Sequence, residues 1–206
     1  MRSAIPRFAA ASLLALSLAA LADDPAPGSP EEPQNKSEDR FDQFMRLWRS
    51  LGMHHEEGFT RTYKFEGTGA ELPVTGKLTV VARNPEPDVV TWERKLELDR
   101  REELEEKHVP LPPLLTSNRW LEPPPIMFPE GGRATLEKDV ELKVGEKTLK
   151  CQKLTVTTGK DAPQPDLNMT FWICEEDHLG LVALSMSSSS GKTLKVELTS
   201  WKSAEK

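Results

Sequence analysis

Apolar side chains recur at helical spacing in one short stretch of the chain. Between Ser37 and Gly52 they are separated by three, one, three and three positions. This spacing places them on one face of an amphipathic helix. We predict Ser37 as the N-cap, with Glu38 and Asp39 in the first turn, and Gly52 as the end of the helix. The predicted stripe, which we expect to pack on a sheet, consists of Phe41, Phe44, Met45, Trp48 and Leu51.

From Phe59 onward the apolar positions alternate with polar ones, which is typical of half-buried β-strands. Tyr63 and Phe65 belong to the first such run, and further runs cover residues 77–80 and 90–98. The sequence Asn84-Pro85-Glu86-Pro87 predicts a turn between strands. Residues 100–108, RREELEEKH, fit either a helical turn or an extension of a strand, and the pattern does not decide between them.

The C-terminal part predicts a succession of antiparallel strands. A strand ends in a turn at Gly145-Glu146, the next runs through Thr157, a loop occupies Gly159 to Asp166, and a strand follows from Leu167 to Cys174. A final hairpin turns around residues 188–191. Apolar residues of its two strands lie opposite each other in the register in which the residue numbers of each pair sum to 380. The predicted pairs are Val182 with Leu198, Leu184 with Val196 and Met186 with Leu194.

Residues 109–132 interrupt this pattern with seven prolines, which excludes a central strand there. The segment is nevertheless too apolar for a solvated linker. Two interpretations remain open: the segment covers the core, which is the simpler account, or it lines a binding site.

The first 22 residues have the pattern of a signal peptide. Arg2 and Arg7 precede an apolar run over residues 8–22 that closes on Ala20-Leu21-Ala22. A membrane anchor or a buried helix is the alternative, but the run is shorter than the roughly 20 residues that span a bilayer. We expect cleavage after residue 22, a disordered leader at 23–37, and a single β-rich domain at 38–206 with a Pro-rich insertion at 109–132. The mature protein is then soluble, without a membrane span, and periplasmic or extracellular.

Charge and length narrow the classes of partner. Removal of 22 of the 206 residues leaves 184, enough for one domain with a real core, and changes the net charge from −6 to −8 because only Arg2 and Arg7 are lost. Charges of both signs are mixed along the chain without basic blocks. Nucleic acid is therefore not an expected partner.

Two cysteines in an exported chain predict one disulfide, Cys151 to Cys174. If their strands pair with the cysteines opposite, Leu154 faces Phe171 and Val156 faces Met169. Cys151 and Leu154 are an odd number of positions apart and would therefore lie on opposite faces of a regular strand. Either a bulge lies near residues 152–153 or both faces of the sheet are partly covered there.

The chain shows no recognisable catalytic, metal-binding or cofactor-binding motif, and we expect a protein that is not an enzyme. His54-His55-Glu56-Glu57 has metal-like composition, but adjacent side chains diverge, and a solvated loop is the simpler account. Residues 175–178 (Glu-Glu-Asp-His) should form a solvent-facing turn, and residues 185–190 are the serine-rich region of a hairpin turn rather than a nucleophile elbow.

The aromatic residues are the remaining candidates, because rings that are not core can line an apolar cavity. The candidate ligand-binding residues are Tyr63, Phe65, Trp92, Trp120 and Trp172.

Four motifs carry a resemblance to known proteins: residues 150–154 (KCQKL), 171–174 (FWIC), 180–182 (GLV) and 195–198 (KVEL). They resemble the end of a group of exported proteins common in planctomycete-type bacteria. The overall plan of those proteins is similar to the periplasmic lipoprotein-carrier (LolA-like) superfamily. The resemblance covers residues 140–200, with the rest matching only in the order of elements.

The resemblance implies a mainly β (α+β) fold: a curled antiparallel sheet, or open half-barrel, with one N-terminal amphipathic helix packed on it. It also implies a carrier of an apolar, lipid-like ligand, and it assigns no ligand-contacting residue. The alternative is a structural or protein-interaction module of the cell envelope with a filled core. A hydrolase or metal enzyme whose site only the fold assembles ranks behind both.

Overall fold

The structure is a computed structural model that describes residues 34–52, 55–69, 72–86, 89–111, 115 and 128–203. All of them belong to one compact unit, residues 32–206. The predicted signal peptide, most of the predicted leader and most of the Pro-rich insertion, including Trp120, lie outside the described residues. None of the helices in the described ranges has both the length and the apolar character needed to cross a membrane.

Eight antiparallel strands form one curled sheet that does not close into a barrel. Its spatial order is β3-β2-β1-β8-β7-β6-β5-β4, so two meanders, β1–β3 and β4–β8, are joined by the pairing of β1 with β8. One helix, α1, packs against β4 and β7. The predicted fold class is confirmed. In chain order the elements are α1 Gln34–Gly52, β1 Thr60–Thr68, β2 Val74–Glu86, β3 Val89–Leu98, α2 Arg101–Glu106, β4 Gly132–Val144, β5 Lys147–Thr158, β6 Asn168–Cys174, a 3₁₀ turn Glu176–His178, β7 Gly180–Ser187 and β8 Thr193–Lys202.

One row of side-chain positions crosses the whole sheet on the face that meets α1, which we call the concave face. Each neighbouring pair in the row is directly opposite in the register of two strands. Apart from one glycine, every position is apolar. The row consists of Leu98, Gly76, Phe65, Val196, Leu184, Phe171, Leu154 and Leu136.

Helix α1 buries the predicted stripe on this face. The ring centroids of Phe44 and Trp48 lie 6.2 Å and 5.9 Å from that of Phe171. The helix ends at Gly52 as predicted but begins at Gln34, so the prediction of Ser37 as the N-cap is wrong. A serine cap stabilises a helix end by only about 1 kcal/mol, which is too little to prevent one more turn upstream.

The undecided residues 100–108 contain a short helix, α2, whose Leu104 is buried in the core. The predicted turn at residues 84–87 is wrong for residues 84–86, because β2 continues to Glu86; β3 begins at Val89. The register of these two strands shifts between Arg83 and Glu86, and this irregularity accommodates Pro85 near the end of the strand.

In the C-terminal meander the predicted registers largely hold. Cys151 is opposite Cys174 and Leu154 is opposite Phe171, without a shift between β5 and β6. In the last hairpin Leu184 pairs with Val196 and Met186 with Leu194. The third predicted pair does not appear in this register: β8 also pairs with β1, where Leu198 lies opposite Tyr63.

Of the two predicted explanations for the change of face near Cys151, burial on both faces of the sheet is confirmed, and a bulge within residues 152–153 of β5 is not found. Leu149 and Cys151 are buried on one face of β5 and Leu154 on the other, so both faces are covered. A bulge is present as well, but in the neighbouring strand β4, where the register shifts between Glu137 and Val140 and Asp139 has a φ of 56°.

Candidate ligand-binding site

The candidate site lies on the concave face of β1, where three large side chains point to the same side of the sheet. Arg61, Tyr63 and Phe65 alternate with Thr62 and Lys64, and all three are at most 3% exposed. Tyr63 Oη donates a hydrogen bond to the Leu181 carbonyl at 2.9 Å. The sequence therefore places a cation, a phenol and a phenyl ring in one buried line.

Arg61 is the most unusual member of this line, because its guanidinium is fully enclosed. Nη1 donates a hydrogen bond to the Leu179 carbonyl. Nε and Nη2 have no hydrogen-bond partner among the described residues. The guanidinium carbon lies 4.3 Å from the centroid of the Trp92 ring, a cation–π distance. Burial lowers the pKa of Arg61, against the opposing influence of Tyr63.

Aromatic rings enclose this end of the site. The His55 ring stacks on Phe59 at 4.6 Å and meets Trp92 edge-on at 5.0 Å. Asn84 Nδ2 donates to the His55 carbonyl at 3.0 Å, which ties the segment after α1 to β2. The prediction that the His-His-Glu-Glu run is a solvated loop is wrong for His55, which is 5% exposed, because aromatic neighbours bury its ring.

Two described residues of the Pro-rich insertion, Leu115 and Phe128, pack on the core. Leu115 is 1% exposed, and its carbonyl accepts a hydrogen bond from Arg94 Nη1 at 3.1 Å. At the other end of the insertion, the Phe128 ring lies 5.4 Å from Phe41 of α1. These contacts agree with the cover interpretation. Whether the remainder of the segment, with Trp120, lines a ligand site stays a prediction.

Trp172 does not join the other predicted site residues. It alternates with Phe171 on β6 and shares a face with Cys151 and Cys174, as the parity of the sequence predicted, and this outer face points away from α1. The two thiols are buried and not bonded to each other in this structure, so the disulfide stays a prediction. A hydrogen bond between the two thiols, together with burial, raises the pKa of Cys151, whereas the same hydrogen bond lowers the pKa of Cys174.

The turn after Cys174 is exposed, as predicted, with Glu176 to His178 in one 3₁₀ turn. Asp177 accepts a hydrogen bond from Trp201 Nε1 at 3.1 Å. In the described part of the chain, no three His, Cys, Asp or Glu side chains are grouped as metal ligands.

Arg61 was not among the residues predicted for the site, although the sequence contained a signal for it. Arg61 has the same parity as Tyr63 and Phe65 in an alternating strand, so the pattern alone places it on the buried face. Its charge argues for solvent, since arginine is rarely fully buried without a partner. A charged residue at a core position of a strand is a signal for a site.

Comparison with known proteins finds no matching family model and no matching curated protein. Solved structures match this chain at low sequence identity. MucB, solved in complex with MucA from Pseudomonas aeruginosa, is 9% identical with a TM-score of 0.40, over 82% of this chain and 58% of MucB. LprF from Mycobacterium bovis is 12% identical with a TM-score of 0.40, over 84% of this chain and 96% of LprF. The Mycobacterium tuberculosis lipoprotein LppX is 14% identical with a TM-score of 0.36, over 84% of this chain and 99% of LppX.

This chain thus spans little more than half of MucB. At these identities and TM-scores the similarity concerns architecture alone.

Proposed function

We propose that this chain is an exported, non-catalytic binding or carrier protein that holds an apolar, lipid-like ligand on the concave face of its half-barrel. The supporting observation is that different parts of the chain cover the two halves of that face. Helix α1 covers the β4–β7 half, whereas the buried Leu115 of the Pro-rich insertion contributes to the cover of the core beside β3. A cover tied to β3 through the hydrogen bond from Arg94 to the Leu115 carbonyl can be displaced when that bond breaks. Nearby, the row of positions Leu98, Gly76 and Phe65 is apolar apart from the glycine.

The ligand-contacting residues in this proposal are Tyr63, Phe65 and Trp92, with Trp120 as a further predicted member. Trp92 is partly exposed on the concave side of β3, which is an edge strand. A ligand that enters beside this edge meets Trp92 first and then the buried line on β1. Trp172, on the outer face, is not expected to contact it.

Uptake of the neutral fluorophore N-phenyl-1-naphthylamine tests the proposal. Trp92→Ala should weaken uptake several-fold, while Trp172→Ala, a change of the same size on the opposite face, should leave it unchanged. Arg94→Met removes the hydrogen bond to the Leu115 carbonyl and should strengthen uptake by up to about tenfold, because less free energy is needed to displace the cover. If wild-type protein takes up no fluorophore and native mass spectrometry shows only the bare chain, the proposal fails.

Export is a separate part of the proposal and is supported by the pattern of residues 1–22. Protein recovered from the periplasmic or extracellular fraction should begin at Asp23, as measured by intact mass. An unprocessed chain retained inside the cell would contradict it.

A protein-interaction module of the envelope is the second candidate, and one observation favours it. On the concave face, Phe44 and Trp48 each pack against Phe171, and all three are at most 2% exposed, so the protein's own side chains fill this part of the face. This candidate gains if fluorophore uptake is absent and the protein binds an envelope protein through its cover or sheet edges.

A further inference from the structure

The guanidinium of Arg61 presents two unused donors on one edge. Nη1 is occupied by the Leu179 carbonyl, while Nε and Nη2 have no hydrogen-bond partner among the described residues. The N–H groups of Nε and Nη2 are parallel neighbours in the planar group and form the fork that binds two oxygens of a carboxylate or phosphate. The unused edge therefore has the geometry of an oxyanion receptor rather than of a random packing defect.

The charge of Arg61 lacks a carboxylate partner in the described part of the chain. Among the described residues, the phenol of Tyr63 acts on this charge, partly through a hydrogen bond with the guanidinium, and its Oη donates to the Leu181 carbonyl. The nearby ion pair of Arg83 and Glu93 lies among exposed side chains on the outer side of β2 and β3. Because a buried cation is costly without a counter-charge, an anion bound at the unused edge would relieve that cost.

The surroundings of the guanidinium are apolar and aromatic. The Trp92 ring lies 4.3 Å and the Phe59 ring 6.0 Å from its carbon. On the same face of β1, Tyr63 and Phe65 lead from Arg61 into the apolar row that crosses the sheet. A ligand that satisfies both environments has an anionic head and an apolar tail.

We propose that Arg61 binds the carboxylate or phosphate head of an amphipathic ligand whose tail lies along Tyr63 and Phe65. The assignment of a site for the tail depends on the proposed function, whereas the assignment of a site for the head depends only on the observations at Arg61. A free phosphate ion carries the same head chemistry without the tail, and the experiment separates the two.

The test compares dodecanoate, 1-dodecanol and inorganic phosphate by calorimetric titration of the purified protein at fixed ionic strength, below micelle concentrations. Dodecanoate should bind roughly tenfold or more tightly than 1-dodecanol, because the head gains charge-assisted hydrogen bonds. Arg61→Met should abolish that preference and leave 1-dodecanol binding in place. Arg61→Lys keeps the charge without the fork and should retain part of the preference. Arg83→Met, which removes an exposed arginine of the outer face, should keep all of it.

Each result bears on one of the two proposals. Equal binding of dodecanoate and 1-dodecanol by the wild-type protein would overturn the role of Arg61 and leave the apolar site standing. Phosphate binding that requires Arg61, without binding of either amphiphile, would support the head site and reject the apolar ligand. If none of the three binds, both proposals fail. If Arg61→Met does not fold, as judged by near-ultraviolet circular dichroism, the comparison of dodecanoate with 1-dodecanol on the wild-type protein still tests whether the site prefers an anionic head.

Discussion

Cys151 lies directly opposite Cys174 across β5 and β6, and both side chains are buried on the face of the sheet away from α1. Directly opposite residues of antiparallel strands bring their Cβ atoms to about 4.5–5.5 Å, close to the separation in a disulfide. A modest adjustment of the two strands therefore suffices to bond them. Exposure to an oxidising compartment would make this pair a covalent clip between neighbouring strands.

We predict that protein isolated from the oxidising compartment contains this bond. Closing the loop between the two positions should add roughly 3 kcal/mol to the free energy of unfolding in the chain-entropy model. Mass spectrometry after alkylation without reductant measures the bond, and urea unfolding with and without reductant measures its effect. The double variant Cys151→Ala/Cys174→Ala controls for the reductant itself, since its stability should not respond. Two alkylated cysteines in freshly isolated protein would refute the prediction.

Phe171 is predicted to be the main support of α1. Its ring is fully buried between Phe44 and Trp48, so Phe171→Ala leaves a cavity under the helix and should cost about 3–5 kcal/mol of unfolding free energy. Urea unfolding followed by tryptophan fluorescence measures the loss. The control Phe128→Ala removes a half-buried ring and should cost less than about 2 kcal/mol. Similar losses for the two variants would show that α1 does not depend on Phe171.

Gly76 occupies the one position in the apolar row that admits no side chain. A Cβ atom there would lie 2.2 Å from the Glu97 carbonyl oxygen and 2.8 Å from Cζ of Phe65. We expect Gly76→Ala to destabilise the protein by about 1–3 kcal/mol through overpacking. Gly159→Ala is the matched control, because its Cβ would meet nothing within 4 Å and should change stability by less than about 0.5 kcal/mol. Thermal unfolding measures the stability of both variants. A Gly76→Ala protein as stable as the wild type would contradict this packing.

Tyr63 should make the protein sensitive to alkali. Burial raises its pKa, with Arg61 opposing the shift, so the folded state favours the neutral phenol. This contribution to stability is fully present below the unfolded pKa of about 10 and is lost as the pH rises through the higher folded value. Unfolding free energy should therefore begin to fall above about pH 10, and Tyr63→Phe should show a shallower decline.

Tyr63 is the chain's only tyrosine, so absorbance at 295 nm follows its ionisation directly. The folded protein should titrate above pH 10 and the urea-unfolded protein near it. A folded midpoint at or below the unfolded one would show that the phenol is not buried.

The parts of the fold that sequence could predict are those set by local chain geometry. The loop at residues 159–166 joins two strands, and with Cys151 placed opposite Cys174 it specified the register that β5 and β6 adopt. The stripe of α1 was equally readable, because helical spacing specifies a face without knowledge of its partner. Its start at Gln34 was not, since a single capping residue contributes little energy.

Long-range pairing was beyond the sequence pattern. Alternation in β1 showed that Tyr63 faces inward but not that Leu198, far along the chain, lies opposite it. The same limit applies to the site: parity placed Arg61 on the buried face, and only the folded sheet brings Trp92 over its guanidinium. Trp172 was grouped with the concave residues on composition, whereas its parity on β6 already assigned it to the outer face.

Strand β8, which follows the other seven described strands in chain order, is central to the sheet, since it is paired on one side with β1 and on the other with β7. Until residues 193–202 leave the ribosome, β1 and β7 each present a backbone edge without the partner strand that they have in the folded sheet. The sheet can therefore be completed only after β8 has been delivered. Without β8 the sheet would be split into two groups of strands, β1–β3 and β4–β7. Each group would be incompletely covered and prone to aggregation and proteolysis, rather than forming a smaller version of the same protein.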